Sequence, residues 1–245
     1  MRARVGNRYL VAQYQVCDHY AEIDFDRLPD AFVIKTNHDS GTVVLVRDKS
    51  MLDHEATEAR IEKSLARPYG WKSGEWAYSY IEPKVFVEEY IDPKNSRPPA
   101  DYKFHCVDGR ARWLQYICDR GHEVKECIVE LNGQVSKIHL DHKMEHSENF
   151  EMPGNWAEMK AVAEQLADGF KYVRVDLYNS TAGIHVGELT FYPLSGFYKG
   201  EGQKELGRRL DFDRATVLPS VLRELEAARS RFSIYPNHQW IKVAK

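Results

Sequence analysis

A chain of 245 residues with 43% hydrophobic content is long enough to bury a substantial core as one domain or as two tightly coupled lobes. Its formal net charge of −3, with basic clusters interleaved with acids, gives no general pull towards nucleic acid. Cys17, Cys106, Cys118 and Cys127 show no C-x-x-C spacing, nothing resembles a secretory signal and no apolar run approaches the ~18 residues of a membrane span, so a reducing cytoplasm is the expected location.

Residues 1–29 contain a partly apolar run, Tyr9 to Val16, and a polar connection ending at Pro29, read as a short strand or an arm packed on the core. Phe32 to Lys35 and Thr42 to Val46 are strand-like and flank the turn-rich Asn37 to Gly41. Such a loop can turn backbone N–H groups towards an anion, with Lys35 adding a point charge; an ordinary hairpin turn is the alternative. Ser50 is placed to cap a helix from about Met51 to Arg67 with a thin apolar stripe, stopped by Pro68 and Gly70. The aromatics between Trp71 and Tyr80 read as packing between lobes. Lys84 to Ile91 is a further strand, and the proline-rich DPKNSRPPA after it marks an internal linker.

Beyond the linker, Tyr102 to Val107 and Arg112 to Cys118 flank Asp108-Gly109, a strong hairpin signal. Cys127 to Leu131 meets Asn132-Gly133 and continues through Val135 to Leu140. His139, His142 and His146 have spacing that suggests zinc, but without a cysteine partner or a helical apolar pattern they read as a polar loop. Asn155 with Glu158 resembles a capping box, and Trp156, Met159, Val162, Ala163, Leu166 and Phe170 give the helix after it one apolar face. A second amphipathic helix, about Ala215 to Arg231, precedes a loosely ordered segment around Trp240.

Between those helices, alternation from Tyr172 to Tyr178 and from Ile184 to Phe191 surrounds turn chemistry at Asn179, Ser180 and Gly183. Val173, Val175 and Leu177 share one side of the first strand, leaving Arg174 and Asp176 together on the other, while Glu188 and Thr190 share one side of the second. A turn centred on Thr181 sets Glu188 opposite Arg174; one centred on Ala182 sets it opposite Asp176. Either way the carboxylates lie roughly 5–8 Å apart at the backbone and repel unless something positive lies between them. Mg²⁺ would resolve the conflict and leave Arg174 for a phosphate; a plain ion pair of Arg174 with one acid on a solvated face is the alternative.

The ordered series FVIKTNHDSG, KVFVEEYI, ADYKFHCVDG, VRVDLY and GELTFYPLSGF, from about Asp26 to Tyr198, resembles the ATP-grasp superfamily and specifically its teichuronopeptide-biosynthesis-type (TupA-like) branch. The resemblance implies an α+β fold of two lobes with nucleotide between two antiparallel sheets. The divisions expected are an arm at 1–29, a smaller ATP-binding lobe at 30–91, a larger catalytic lobe at 92–200 and a helical extension at 201–245. It gives Lys35 to the nucleotide phosphates, His38, Ser40 and Gly41 to the loop covering them, and Glu88, Glu89 and Tyr90 to the hinge beside the adenine. Asp101 would reach the ribose and Lys103 the phosphates or substrate. Arg174 would steady an acyl phosphate, and Asp176, Glu188 and Thr190 would face magnesium.

The implied activity is ATP- and Mg²⁺-dependent carboxylate–amine ligation in surface-polysaccharide or peptide-polymer modification. A sugar kinase or a non-catalytic nucleotide binder are the alternatives. The substrates implied are a small-molecule or polysaccharide-linked carboxylate and an amine. Three departures stand out: Thr190 replaces the usual Asn, Leu194 stands where glycine is usual, and the lobe that ordinarily precedes the ATP-binding lobe is nearly absent. The acceptor side is then expected from the tail, a homo-oligomer partner or a large substrate bound across the surface.

Overall fold

The computed structural model describes residues 1–70, 75–91, 99–119, 123–140, 144–196 and 201–210. The proline-rich stretch at 92–98, Trp71, His142, Tyr198 and the tail, with its expected helix at 215–231, lie outside them. Residues Met1–Leu206 form one packed unit, and a second begins at Gly207.

The first half of the chain builds a four-stranded antiparallel sheet. After a short helix α1 (Arg2–Val5) come β1 (Gln13–Cys17), β2 (Phe32–Thr36), β3 (Val43–Val46), helix α2 (His54–Leu65) and β4 (Val85–Glu89), with strand order β1-β4-β2-β3. One face of the central strands carries Phe32, Ile34, Val85 and Val87, all fully buried, and Ile61 of α2 closes over them. The other face carries Val33 and Lys35 of β2 with Phe86 and Glu88 of β4.

The N-terminal residues, read as a short strand or an arm packed on the core, include a strand and are divided between both halves of the fold. Residues 13–17 pair with β4 as an edge strand, and Tyr20, Ile23 and Leu28 complete the small core. Val5 instead joins the core of the large sheet. The start of α2 differs from the expected one. Asp53, directly before the helix, accepts from Ala56 N at 2.9 Å, a carboxylate at the positive end of the helix dipole. Ser50 lies in the preceding turn, bonded to Asp48.

The second half forms β5 (Asp101–Val107), β6 (Arg110–Cys118), β7 (Lys125–Glu130), β8 (Val135–Ser136), β9 (Glu145–His146), helix α3 (Trp156–Ala167), β10 (Tyr172–Ser180), β11 (Gly183–Thr190) and helix α4 (Glu201–Arg209). Its sheet runs β11-β10-β5-β6-β7-β8, with β9 parallel to β7. Asp108 and Gly109 both take positive φ, 49° and 72°, as the two-residue turn joining β5 and β6 requires. Met159, Val162, Ala163 and Leu166 of α3 pack on Phe104, Cys106, Val173, Val175 and Leu177, so this face of the sheet is dry and the chemistry is left to the other. Asn155 makes no cap; its side-chain amide exchanges two hydrogen bonds with that of Asn179, at 3.1 and 2.9 Å. That pairing ties the start of α3 to the end of β10.

Gly202 of α4 packs on the chain at His139 and Leu140, so closely that an added Cβ would stand 2.2 Å from the His139 carbonyl oxygen. Backbone cannot retreat as a flexible side chain would. Gly202→Ala is therefore expected to cost about 1–3 kcal/mol by overpacking, which a lowered Tm in a thermal melt will reveal.

Candidate active site

The polar face of the large sheet is organised in two cross-strand rows. Thr190, Arg174, His105 and Trp113 are successive partners across β11, β10, β5 and β6; one step along stand Glu188, Asp176, Lys103 and Gln115. Asp176 and Glu188 are directly opposed, but the turn alone does not oppose them. Ser180 pairs with Gly183 and Leu177 with Val186, a register that would set Glu188 against Val175 and turn it into the core. A bulge at Gly187 adds one residue to β11 and restores the pairing. Ile184 and Val186 before it point into the apolar core, whereas Glu188 and Thr190 after it join the polar face. Gly187 suits the position because a Cβ there would meet the Tyr178 ring at 2.9 Å.

What lies between the two acids is Arg174. Its Nε donates to Asp176 Oδ1 at 2.7 Å and its Nη2 to Asp176 Oδ2 at 2.8 Å. The same Nη2 also donates to Glu188 Oε1 at 3.0 Å and to Thr190 Oγ1 at 3.0 Å. Thr190 Oγ1 donates in turn to Glu188 Oε1 at 2.6 Å. Lys103 Nζ also bonds Asp176 Oδ2 and lies 3.6 Å from Asp101 Oδ1. This is no solvated sheet face: Asp176, Arg174, Lys103, Asp101 and Thr190 are all buried, and Glu188 alone of the group is exposed. Burial pushes the Asp176 carboxyl up, but the Arg174 and Lys103 charges outweigh it and hold the group ionised, below its ordinary value.

His105 lies beside Arg174 in the same row, fully buried, its ring stacked on Trp113 at a centroid distance of 3.4 Å and its Nδ1 2.8 Å from the Tyr172 hydroxyl. Burial first, then the Arg174 charge, drives its pKa well below the ordinary histidine value. The ring is neutral and adds no further positive charge to the cluster.

On the small sheet, Lys35 Nζ bonds Glu88 Oε1 across the face not used by its core. Glu89 N donates to Ala12 O at 2.8 Å, and the Tyr90 hydroxyl accepts from Arg47 Nε at 3.2 Å. The loop at 37–42 is held by Asp39, which accepts from the hydroxyls of Thr36, Thr42 and Ser64. His38 points inwards, buried with Nε2 3.0 Å from the Ser64 carbonyl oxygen, while Ser40 and Gly41 are exposed, Gly41 at φ 96°. Burial raises the Asp39 pKa, but the three hydroxyls more than offset it and the net shift is downward.

The Tyr78 ring meets Tyr69 edge-on at 5.4 Å, and its phenol is pushed up to about 12 by burial and then by the negative charge of Glu188. In the sequence Asp39 is only part of the turn-rich loop, Tyr78 only one of the packing aromatics, and His105 carries no role. A turn-forming Asp amid hydroxyl residues is a usable signal for the first; the other two depend on long-range pairing.

For magnesium, Asp176 and Glu188 with the Thr190 hydroxyl form a hard-oxygen set on one face, with Glu188 Oε2 outside the bonds to Arg174 and Thr190. Among the described residues no group of three His, Cys, Asp or Glu is arranged to hold a metal. Magnesium is commonly held by one or two carboxylates plus phosphate and water, so the donor set fits. His139 Nε2 lies 3.8 Å from Glu126 Oε1, and its ring is 5.7 Å from that of His146. Leu194, expected where glycine is usual, adopts φ 48°, the left-handed conformation that glycine takes without strain.

Two antiparallel sheets, one backed by α2 and one by α3, with the charged hairpin cluster on the face of the larger that is turned away from α3, define an α+β protein of the ATP-grasp fold. The family model for TupA-like ATP-grasp proteins matches residues 1–211, and the chain belongs to that family. No curated protein matches the chain. Among solved structures, D-alanine–D-alanine ligase from Bacillus anthracis is similar at TM-score 0.48 and 16% identity, over 90% of this chain and 65% of that one. The same ligase complexed with ATP gives 0.41 and 15%, over 74% and 48%. A RimK domain ATP-grasp protein from Sphaerobacter thermophilus gives 0.41 and 19%, over 86% and 63%. The chain thus spans 48–65% of the length of these structures. No helix among the described residues is long and apolar enough to cross a membrane.

Two outcomes are expected. Asp176→Asn removes the common partner of Arg174 and Lys103, so without nucleotide it should lose roughly 3–5 kcal/mol and melt well below wild type in chelator. The opposed-carboxylate picture alone predicts no loss, and Arg174 reverses its sign. Asp39 has a depressed folded pKa, so its charge stabilises above the unfolded carboxylate value and is lost as pH falls through the folded one. The stability difference between wild type and Asp39→Asn should be flat from pH 7 to about 5 and shrink in more acid solution, as urea titrations will show.

Proposed function

We propose that this chain is an ATP- and Mg²⁺-dependent carboxylate–amine ligase working through an acyl phosphate. The observation carrying the reading is the buried cluster in which directly opposed Asp176 and Glu188 share Arg174, with Lys103 also on Asp176 Oδ2. Isolated structural ion pairs are poor stabilisers when buried, so two acids and two cations gathered on the face away from α3 suit charged ligands.

In this reading Lys35 and Lys103 hold phosphate oxygens, with Ser40, Gly41 and their neighbours covering them. Glu88, Glu89, Tyr90 and Asp101 face the adenine and ribose. Asp176, Glu188 and Thr190 hold magnesium, which when bound neutralises charge developing on the transferred phosphoryl group. A substrate carboxylate oxygen attacks the γ-phosphorus and ADP leaves. An amine then attacks the acyl carbon, phosphate departs with the C–O electron pair and the amine proton passes to solvent. Arg174 steadies the acyl phosphate. Catalysis is positioning and charge, with no covalent protein intermediate. The division into an arm at 1–29, lobes at 30–91 and 92–200 and an extension from 201 belongs to the same proposal, as do a role in polysaccharide or peptide-polymer modification and a cytoplasmic setting.

A screen of carboxylate and amine pairs for ADP release, with amide product identified by mass, tests the proposal. Phosphorylated sugar in place of amide would turn it into a kinase, and tight Mg-ATP binding with no turnover would make it a non-catalytic binder. Lys35→Ala is expected to weaken ATP binding by about tenfold or more, the loss of a charged phosphate contact, with the fold intact by circular dichroism. Unchanged affinity would remove Lys35 from the site.

A further inference from the structure

The two cations in this cluster are held in different ways. Arg174 grips Asp176 through two near-parallel bonds and Glu188 and Thr190 through the same nitrogen. Lys103 makes a single-point contact with Asp176 Oδ2, and a second carboxylate, Asp101, stands 3.6 Å from its Nζ. A lysine ammonium is a point charge on a flexible stem, without the planar fork that fixes arginine. Lys103 therefore has a ready alternative acceptor on its own strand, and Arg174 has no equally simple exit. The cluster is sheltered from solvent on the Asp176 side and open at Glu188.

The geometry points to Lys103 as an internal counter-ion that occupies the metal side of Asp176 until an anion draws it away. This rests on the reading of the hairpin as a metal and nucleotide site. Its content is an order of events: a free divalent cation meets Asp176 already neutralised and binds poorly. A phosphate-bearing ligand offers Lys103 a new partner, and moving towards Asp101 and that ligand removes one of the two cations on Oδ2 and leaves Arg174 alone there. Lys103 is thus a selectivity residue that favours the metal–nucleotide complex over the bare metal. Coupling between two ligands is reciprocal, so the nucleotide raises metal affinity by the factor by which the metal raises nucleotide affinity.

The test uses wild type, Lys103→Met and Lys171→Met, titrated with Mn²⁺ alone and followed by loss of the free-ion EPR signal, then with ADP plus Mn²⁺ by calorimetry. Lys103→Met is expected to bind free Mn²⁺ about tenfold or more tightly than wild type, a typical coupling factor, and to bind ADP more weakly. Lys171→Met, which removes the same charge from an exposed lysine paired with Asp108, is expected to leave free Mn²⁺ binding unchanged. Unchanged or weaker Mn²⁺ binding in Lys103→Met overturns the exchange, as does an equal gain in Lys171→Met, which would reduce the effect to net charge. Thermal melting checks that the variants fold, and Lys103→Gln replaces the methionine variant should it not. Failure of wild type to bind ADP with Mn²⁺ is a separate result that overturns the nucleotide reading itself. Bound ADP with an unaltered Mn²⁺ affinity in Lys103→Met overturns the exchange alone.

Discussion

Ionised groups taken out of water must be compensated within the protein, and Asp176 sets that requirement for the large sheet. The carboxylate is 2% exposed, and burial alone would push its proton back on. Everything around it answers that cost. Arg174 comes from the same strand two residues away, Lys103 from the next strand and Thr190 from the hairpin's far arm. Neutral His105 stands next to Arg174 in the same row, so the surplus of positive charge stays small. The dry face, packed on α3, holds the strands so that these side chains have one register and no other.

The small sheet meets a milder form of the same demand with a different device. Asp39 is partly buried but balanced by hydroxyls, which a loop can supply from neighbours in sequence, Thr36 and Thr42, and from Ser64 of α2. The result is a loop anchored at its base with Ser40 and Gly41 left outermost. Tyr69 packs edge-on against Tyr78, whose phenol feels the negative charge of Glu188.

Much of this was legible beforehand because it depends on local periodicity. Val173, Val175 and Leu177 on one side and Arg174 and Asp176 on the other follow from the pleat alone, and Asp108-Gly109 announces its hairpin by the positive φ that it needs. What escaped depends on choices among equivalent local partners. Ser50 and Asp53 are both good caps; the helix starts after Asp53, and Ser50 is taken up by Asp48 in the turn before it. The partly apolar run ending at Val16 leaves strand and arm both open, and it is β4 that supplies the ladder for residues 13–17. The position of Arg174 between the acids, where a metal ion was anticipated, could not be told from residue types, since a guanidinium and a divalent cation answer the same pair of charges. Gly187 was visible as a glycine inside a strand pattern, an ordinary bulge signal.

That bulge makes the hairpin an exercise in counting. From the two-residue turn outward, the strands stay in step until Gly187, where one extra residue exchanges the two faces of β11. The site depends on Gly187 being held out of the ladder. Drawn into regular pairing, it would take the place opposite Asp176 and set Glu188 against Val175, with its carboxylate directed at the apolar core. Deleting Gly187 would instead leave Glu188 directly after Val186 and still opposite Asp176. A hairpin one residue shorter at this point can therefore keep the same carboxylate pair with a regular ladder, whereas a hairpin of this length keeps it only with the bulge.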